Sequence, residues 1–210
     1  MSVELFDVIA RQRACRRFRS DPVPWDVLRR VLTAATHAPS AENRQPWRIV
    51  VVEGADPRAR VAEITRRVWE GGARAQAGAS LPAALFDDVD AGASAGYGGA
   101  PVLIVVLLDR DAAGSGDAGS SIWPAVQNLL IAATAAGLGA VLTTLATYLP
   151  DELREATGAP ASWDPVAVVP LGYPAEPLGR SRRRPLDEVA WHDRVGTPLP
   201  AATDGGEARS

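Results

Sequence analysis

The spacing of apolar residues along the chain predicts helices that alternate with short buried strands. Apolar residues recur every three to four positions in the longer segments, as on one face of a helix, and form short continuous runs elsewhere. The segments that read as helices are residues 3–9, 25–36, 58–70, 123–136 and 151–157. The segments that read as strands are residues 49–52, 101–108, 141–143 and 166–170.

Three segments lack this pattern and are interpreted separately. Residues 71–99 are rich in Gly and Ala, with one apolar island at 81–89 that reads as a short helix. Because the sequence on both sides belongs to one sheet pattern, we interpret this segment as a mobile cover over a site rather than as a linker. Residues 109–119 read as a surface loop and residues 197–210 as a disordered tail, which leaves 1–196 as one domain.

Composition narrows the function classes. The formal net charge is −3, so the chain has no overall basic character that would favour a nucleic acid partner. All 22 basic residues are Arg, a bias that a GC-rich genome produces by itself, so only their clustering carries information. The single cysteine, Cys15, allows no internal disulfide and fits a reducing compartment. No signal peptide is evident and no apolar run is long enough to cross a bilayer, so we expect a cytoplasmic protein without a membrane partner.

A polar segment between the second predicted helix and the first predicted strand is the most informative part of the chain. Pro39 disfavours the helical conformation for the residue before it, so the helix is expected to end there. Pro46 likewise favours an extended chain before the strand. Between the two prolines lie the hydroxyl and amide groups of Ser40, Asn43 and Gln45, which suit recognition of a flat polar ligand. Taken alone, such a segment is more often an ordinary turn.

About twenty residues upstream, residues 11–19 contain five arginines in nine positions. This cluster, followed by a helix and the sequence APSAENRQPW, resembles the flavin-binding part of the nitroreductase family. Further stretches similar to that family follow in order, at residues 121–133, 137–144, 170–174 and 182–186. The resemblance therefore covers the chain from about residue 6 to residue 196.

The resemblance implies a fold and an assembly. Members of this family have an α+β fold in which a central mixed, mainly antiparallel sheet is flanked by helices. They form homodimers whose active sites lie at the subunit interface, with the loop equivalent to residues 39–43 given by the partner subunit. We expect the same nitroreductase-like fold and homodimer here.

The resemblance also implies FMN as cofactor. Guanidinium groups bind the oxygens of a phosphate in pairs, and donors along the ring edge stabilise the negative charge of the reduced flavin. By matching to the family, the phosphate and ring edge are expected to contact Arg13, Ala14, Arg16 and Arg183. The ring is expected to contact two further groups, which are Pro39, Ser40, Ala41 and Asn43 in the loop, and Leu142, Thr143 and Thr144.

The chain departs from the commonest family pattern in the arginine cluster, where Gln12 replaces an arginine and Ala14 replaces a serine. Arg13 and Arg16 remain, and the backbone N–H of Ala14 is still available as a donor. Arg11, Arg17 and Arg19, like Arg180, Arg182 and Arg184, read as solvated surface residues. The neighbouring arginines are expected to lower the pKa of Cys15, although a small packed side chain is the simpler interpretation.

The implied activity is FMN-dependent oxidation and reduction by a ping-pong mechanism. A hydride from NADH or NADPH reaches flavin N5, and a small-molecule acceptor such as a nitroaromatic or quinone then takes the electrons at the same face. This chemistry needs positioning and donors more than acid–base residues, so no catalytic side chain is assigned. Two alternatives stay open, a specialised dehydrogenase or flavin-fragmenting enzyme with a different 71–99 segment, and a flavin-binding protein without turnover.

Other chemistries fit less well. Residues 92–96 match G-x-S-x-G, but the nucleophile of that motif follows a strand, and here the order of elements is wrong. His37, His192 and Cys15 share no metal-ligand spacing, so no metal site is predicted. A deiodinase is disfavoured because a zwitterionic substrate wants charged partners, and the cover offers only Arg74, Asp87, Asp88 and Asp90.

Overall fold

The structure is a computed structural model that describes residues 4–114 and 119–201. The chain divides into two compact units, Met1–Arg180 and Ser181–Ser210. Most of the predicted tail and the middle of the predicted 109–119 loop lie outside the described residues. Within the described part of the chain, no helix is both long and apolar enough to cross a membrane.

Eight α-helices and four strands are found in the first unit, within its described residues. The helices are α1 (Leu5–Arg11), α2 (Trp25–Thr36), α3 (Ala55–Val68), α4 (Arg74–Ser80), α5 (Ala83–Ala93), α6 (Arg110–Ala113), α7 (Gly119–Ala135) and α8 (Pro150–Thr157). The strands are β1 (Trp47–Val52), β2 (Val102–Asp109), β3 (Gly139–Ala140) and β4 (Trp163–Gly172). In the second unit, Leu186–Glu188 form a turn of 3-10 helix.

The four strands form one sheet in the order β1-β2-β4-β3, and all three strand pairs are antiparallel. A parallel bridge between Ala14 and Ala140 extends the sheet beyond β3. The predicted fold, a mixed and mainly antiparallel sheet flanked by helices, is therefore confirmed.

Strand β2 is central because both of its faces are buried. Alternate side chains of a strand point to opposite faces, and here Val102, Ile104 and Val106 pack into one apolar core with α2 and α7. The residues between them, Leu103, Val105 and Leu107, belong to a second core with α3 and α8. The unbroken apolar run of this strand is the pattern expected when helices cover both faces of a sheet.

Several element boundaries differ from the predictions, each for a physical reason. The 109–119 segment begins as helix α6, because the Asp109 carboxylate caps it by accepting hydrogen bonds from the N–H groups of Asp111 and Ala112. Helix α7 starts at Gly119, four residues before the predicted start. The 71–99 segment contains helices α4 and α5 instead of a single short helix.

The strand predicted at 141–143 is displaced, since β3 is Gly139–Ala140 and, of the predicted residues, Thr143 pairs with Val168 of β4 only in an isolated antiparallel bridge. Glycine disfavours a strand in a sequence-based prediction, but Gly139 is needed at this position. A Cβ on Gly139 would lie 2.5 Å from the Sγ of Cys15. The neighbouring segment can approach β3 only because this side chain is absent.

Candidate functional site

The segment that carries Arg13, Ala14 and Arg16 is held at the edge of the sheet by backbone pairing. The N–H of Cys15 donates to the carbonyl oxygen of Ala140 at 3.0 Å, beside the parallel bridge of Ala14. Further along, the N–H of Arg19 donates to the carbonyl of Tyr173 at 2.9 Å. The sheet therefore fixes the backbone of this segment, which we call the arginine edge (residues 13–16).

Cys15 packs inward from the arginine edge, with 2% of its surface exposed. Its Sγ donates a hydrogen bond to the carbonyl of Arg17 at 3.3 Å. Burial raises the pKa of the Cys15 thiol, and the opposing effects of the Arg17 hydrogen bond and the Arg16 charge are smaller. The expected lowering of this pKa was wrong, because desolvation of the thiolate outweighs the neighbouring charges. The interpretation of Cys15 as a small packed side chain is confirmed.

Arg16 is largely buried, with 15% of its side chain exposed. Its Nη1 donates to the carboxylate of Asp88 at 2.6 Å. Burial raises the pKa of the nearby Tyr97 phenol, and Arg16 has a smaller, opposing effect on it. The Nε of Arg16 is buried and has no hydrogen-bond partner within the described part of the chain. A buried donor without a partner costs free energy, so this atom fits an acceptor supplied by a ligand.

Beside Arg16 lies a cavity of about 250 Å³. Its lining combines the cationic arginine edge with two carboxylates, and comprises Arg13, Ala14, Cys15, Arg16, Arg17, Asp88, Glu176, Pro177 and Leu178. The side chain of Arg13 is exposed and makes no hydrogen bond or ion pair with any described residue. These donors suit the phosphate and ring edge of FMN, but the cavity is smaller than the roughly 300–1,000 Å³ typical of small-molecule sites. The cavity by itself is therefore small for a complete ligand site.

The loop with Pro39, Ser40, Ala41 and Asn43 is exposed and conformationally strained. Glu42, Asn43 and Gln45 have positive φ angles of 52°, 54° and 49°. Outside glycine this region costs free energy, and such residues cluster at functional sites.

Two hydroxyl groups hold this loop in place. The Ser40 Oγ accepts a hydrogen bond from the N–H of Gln45 at 3.0 Å, and the Ser121 Oγ accepts one from the N–H of Ala41 at 3.1 Å. The Gln45 amide donates to Asn43. The loop is therefore ordered by its own polar groups while its outer face remains exposed to solvent.

Leu142, Thr143 and Thr144 follow β3. Thr143 is buried and exchanges two hydrogen bonds of 2.9 Å with the backbone of Val168, in the middle of β4. Thr144 is exposed and lines a second cavity of about 480 Å³. That cavity is bounded by Val68, Trp69, Gly71, Ala73, Gln76, Ala77, Ser80, Leu81, Thr144, Leu145 and Tyr148.

The first part of the 71–99 segment therefore forms one wall of the second cavity. Hydrogen bonds to one carboxylate connect this wall to helix α5. The carboxylate of Asp90 accepts from Trp69 Nε1, from the guanidinium of Arg74 and from the Ser94 hydroxyl at 2.6–2.9 Å. The Arg74 hydrogen bonds are the largest of the effects that lower the pKa of Asp90. Trp69 lines this cavity and is otherwise buried, so it forms part of the cavity wall.

The arginine edge and the 39–43 loop lie at opposite corners of the sheet. Ala140, beside the arginine edge, pairs with Leu171, which in turn pairs with Val102, the first residue of β2. The 39–43 loop precedes Pro46, whose carbonyl oxygen accepts from the N–H of Asp109, the last residue of β2. Eight residues of β2 span roughly 24 Å, and the three strand spacings from β1 to β3 add about 14 Å across the sheet. The arginine edge and the 39–43 loop of one chain are therefore well separated.

Arg183 belongs to the second unit, where it precedes the Leu186–Glu188 turn. Its side chain is exposed, and its Nη1 donates to the carbonyl of Arg182 at 2.9 Å. Arg11 and Arg180 both pair with Asp7, and Arg19 pairs with Asp21, all at the surface.

The G-x-S-x-G match at residues 92–96 has no catalytic geometry. Ser94 follows helix α5 and its hydroxyl donates to Asp90 at 2.6 Å. The nucleophile of that motif requires a strand before the serine and a helix after it. Ser94 instead helps to hold the wall of the second cavity.

Two residues that lie next to Arg16, Asp88 and Tyr97, were not among the flavin-site residues predicted from the sequence. Asp88 was considered only as a possible substrate contact, and Tyr97 was not singled out. Asp88 is 72 positions from Arg16, so no local pattern links the two residues. Only the packing of α5 against the arginine edge brings them together.

Comparison with known proteins gives a consistent result. The model of the nitroreductase family matches residues 9–173. A protein from Thermus thermophilus named NADH dehydrogenase is 34% identical over 85% of this chain and 91% of its own length. An iodotyrosine deiodinase from Thermotoga neapolitana is 29% identical over 82% of this chain and 90% of its own length. Among solved structures, one described as a nitroreductase in complex with FMN, from Desulfovibrio desulfuricans, has a TM-score of 0.71 at 28% identity, covering 95% of this chain and 100% of that one.

Proposed function

Since the chain belongs to the nitroreductase family, we propose that it is an FMN-dependent oxidoreductase that acts as a homodimer. Each of its two flavin sites combines the arginine edge of one subunit with the 39–43 loop of the other. The observation that carries this proposal is the separation of these two groups across the sheet. In the proposed dimer, each chain therefore contributes its arginine edge to one flavin site and its 39–43 loop to the other. A two-fold symmetric dimer completes both sites at once.

Each group of residues has a distinct role in this site. Arg13 and Arg16 supply positive charge and paired donors to the phosphate and the ring edge. A role for Arg183 at the phosphate stays a prediction from the family resemblance. The N–H of Ala14 adds a backbone donor. The amide and hydroxyl groups of Ser40 and Asn43 in the partner's loop, with Leu142, Thr143 and Thr144, orient the ring.

Bound FMN supplies hydride transfer between NADH or NADPH and an electron-poor acceptor. The protein positions the flavin and supplies the positive charge of the arginine edge. Burial raises the pKa values of the Cys15 thiol and the Tyr97 phenol, so neither group adds a negative charge that would oppose it. No acid–base pair is required for this chemistry, and no side chain is assigned as catalytic.

The second cavity favours an uncharged acceptor such as a nitroaromatic or a quinone. At about 480 Å³ it is large enough for a small aromatic molecule, and each lining residue that the structure describes is uncharged. A zwitterion enclosed there would lose its hydration without gaining ionic partners. Three of the four charged residues of the segment are paired, Arg74 with Asp90 and Asp88 with Arg16, and the fourth, Asp87, is exposed and does not line this cavity. The similarity to a deiodinase therefore does not extend to the acceptor that we propose.

Exposed apolar side chains support the proposed dimer. Leu5, Phe6, Ile9, Trp25 and Trp123 are each between 43% and 82% exposed. They lie on α1, α2 and α7, and both α1 and α2 pack against α7. Large exposed apolar groups of this kind mark a surface that another protein chain covers.

The test is spectroscopic. The purified protein should be yellow, and flavin released by heat should run as FMN on chromatography. Under anaerobic conditions NADH or NADPH should bleach the flavin, and a quinone should restore its colour faster than 3-iodotyrosine does. A colourless protein that does not take up FMN would contradict the proposal. Flavin that nicotinamides do not bleach would indicate a flavin-binding protein, and reoxidation by 3-iodotyrosine alone would indicate a specialised enzyme.

A further inference from the structure

Helix α5 places a carboxylate against the arginine that is expected to face the flavin. Asp88 accepts from Arg16 Nη1 at 2.6 Å, and 41% of the Asp88 side chain is exposed, against 15% for Arg16. The pair thus lies at the boundary of the cavity beside the arginine edge, which both residues line. In this arrangement the cationic end of Arg16 meets a negative charge before any ligand arrives.

The contact is part of a close fit between α5 and the arginine edge. At Gly92 the helix approaches so closely that a Cβ would overlap the ring of Tyr97 and would lie 3.2 Å from the Cβ of Arg16. The Tyr97 phenol also lies close to the same guanidinium. Asp88, Gly92 and Tyr97 therefore hold Arg16 from one side, and its unpartnered Nε remains for a ligand.

We propose that Asp88 is a positioning residue that orients the Arg16 guanidinium and offsets part of its positive charge, so that FMN is bound less tightly than the arginine edge alone would allow. The inference rests on the proposed function, because it requires that Arg16 faces the flavin. A carboxylate that shares a guanidinium with a phosphate or a reduced ring repels both anions, and this repulsion falls with solvent exposure and with salt.

The charge-removing substitution is Asp88→Asn, which keeps the size of the side chain and an acceptor oxygen for Arg16. It should tighten the binding of FMN by about three- to tenfold, with the gain limited because Asp88 is partly exposed. The gain should shrink at high ionic strength. Asp88→Glu keeps the charge and should bind FMN about as the unsubstituted protein does.

Two other carboxylates serve as matched controls. Glu176 lines the same cavity but is exposed and has no ion pair with a described residue, so Glu176→Gln should give a smaller gain than Asp88→Asn. Asp87 neighbours Asp88 on α5, is exposed and does not line the cavity, so Asp87→Asn should leave FMN binding unchanged. The order of these three variants separates a direct contact from a general change in net charge.

Dissociation constants for FMN, measured by quenching of flavin fluorescence at low and high salt, give the readout. Unchanged or weaker binding in Asp88→Asn would overturn the proposal, as would an equal gain in Asp87→Asn. If Asp88→Asn does not fold, Asp88→Gln also removes the charge while keeping an acceptor oxygen for Arg16, and it should change FMN binding in the same direction. An unsubstituted protein that binds no FMN would refute the proposed function, whereas FMN binding that Asp88→Asn does not tighten would refute only the role of Asp88.

Discussion

The arginine edge and the 39–43 loop differ in how each is held. The arginine edge is paired to β3, supported by a buried cysteine and contacted by α5 through Asp88. The loop is exposed, contains residues with positive φ and is held mainly by the hydroxyl groups of Ser40 and Ser121. The arginine edge is therefore fixed by contacts within its own chain.

The second region has the properties of a group that serves another subunit. Its residues with positive φ are exposed to solvent, at the corner of the sheet away from the arginine edge of the same chain. Strain of this kind is maintained where function requires it. Substitutions in the two regions should therefore fail in different ways, and the following predictions test this difference, from the largest expected effect to the smallest.

Arg183 tests whether the phosphate site requires a specific cation besides the arginine edge. A charge-assisted hydrogen bond to a partly desolvated phosphate contributes about 1.5–3 kcal/mol, so Arg183→Ala should weaken FMN binding roughly ten- to a hundredfold. The neighbouring variants Arg182→Ala and Arg184→Ala should have much smaller effects. Equal losses in all three, measured by flavin titration, would point to diffuse electrostatic attraction instead of a contact.

Gly139 tests the arginine edge itself. A Cβ here would lie 2.5 Å from Cys15 Sγ, so Gly139→Ala should push the arginine edge away from β3. Overpacking of this kind costs about 1–3 kcal/mol of unfolding free energy, and FMN binding should weaken as well. Gly99→Ala is the control, because a Cβ there meets nothing within 4 Å. Denaturant unfolding that shows no difference between the two variants would mean that the close approach is unimportant.

Ser40 tests the exposed loop. Ser40→Ala removes the acceptor for the N–H of Gln45, a bond that contributes about 0.5–1.5 kcal/mol to the loop conformation. FMN binding should weaken about two- to tenfold, while the unfolding free energy of the apoprotein changes little. Ser20→Ala, at another exposed serine, is the control. A large loss of stability without loss of FMN binding would show that the loop supports the fold rather than the site.

Alkaline pH tests the burial of Cys15. Because the folded-state pKa is raised, the folded chain keeps the thiol proton above about pH 8.5 while the unfolded chain loses it. The unfolding free energy of the apoprotein should therefore fall as pH rises from that value, by up to about 1.4 kcal/mol per pH unit for this group. Cys15→Ala should show a smaller decrease. An identical pH dependence in both proteins would contradict the assignment.

The fold was largely predictable from the sequence because apolar spacing reports burial directly. Helix α2 and strand β2 coincide with their predictions within one residue at each end, whereas β4 is longer than predicted by three residues at its start and two at its end. The 71–99 segment was harder, since small residues give little apolar contrast and its helices are fixed by contacts such as that of Asp90 with Trp69 and Arg74.

The site was predictable only where a motif carries it. Local sequence led to the arginine edge and the loop, whereas the Arg16–Asp88 pair depends on contacts between distant segments. The raised pKa of Cys15 likewise depends on burial. The arginines adjacent in the sequence favoured the opposite prediction, a lowered pKa. Assignment of the individual residues to FMN stays a prediction, as do the domain boundary at 196, the mobility of the cover and the cytoplasmic location.

The most direct test of the shared site is complementation between two defective subunits. One variant carries Arg13→Ala and Arg16→Ala, and the other carries Ser40→Ala and Asn43→Ala, so that neither homodimer should bind FMN well. In a mixed dimer one site receives both defects and the other receives none. Co-refolding the two should therefore restore about a quarter of the flavin sites with the affinity of the unsubstituted protein. A mixture that binds no more FMN than the separate variants would contradict the assignment of the two half-sites to different subunits.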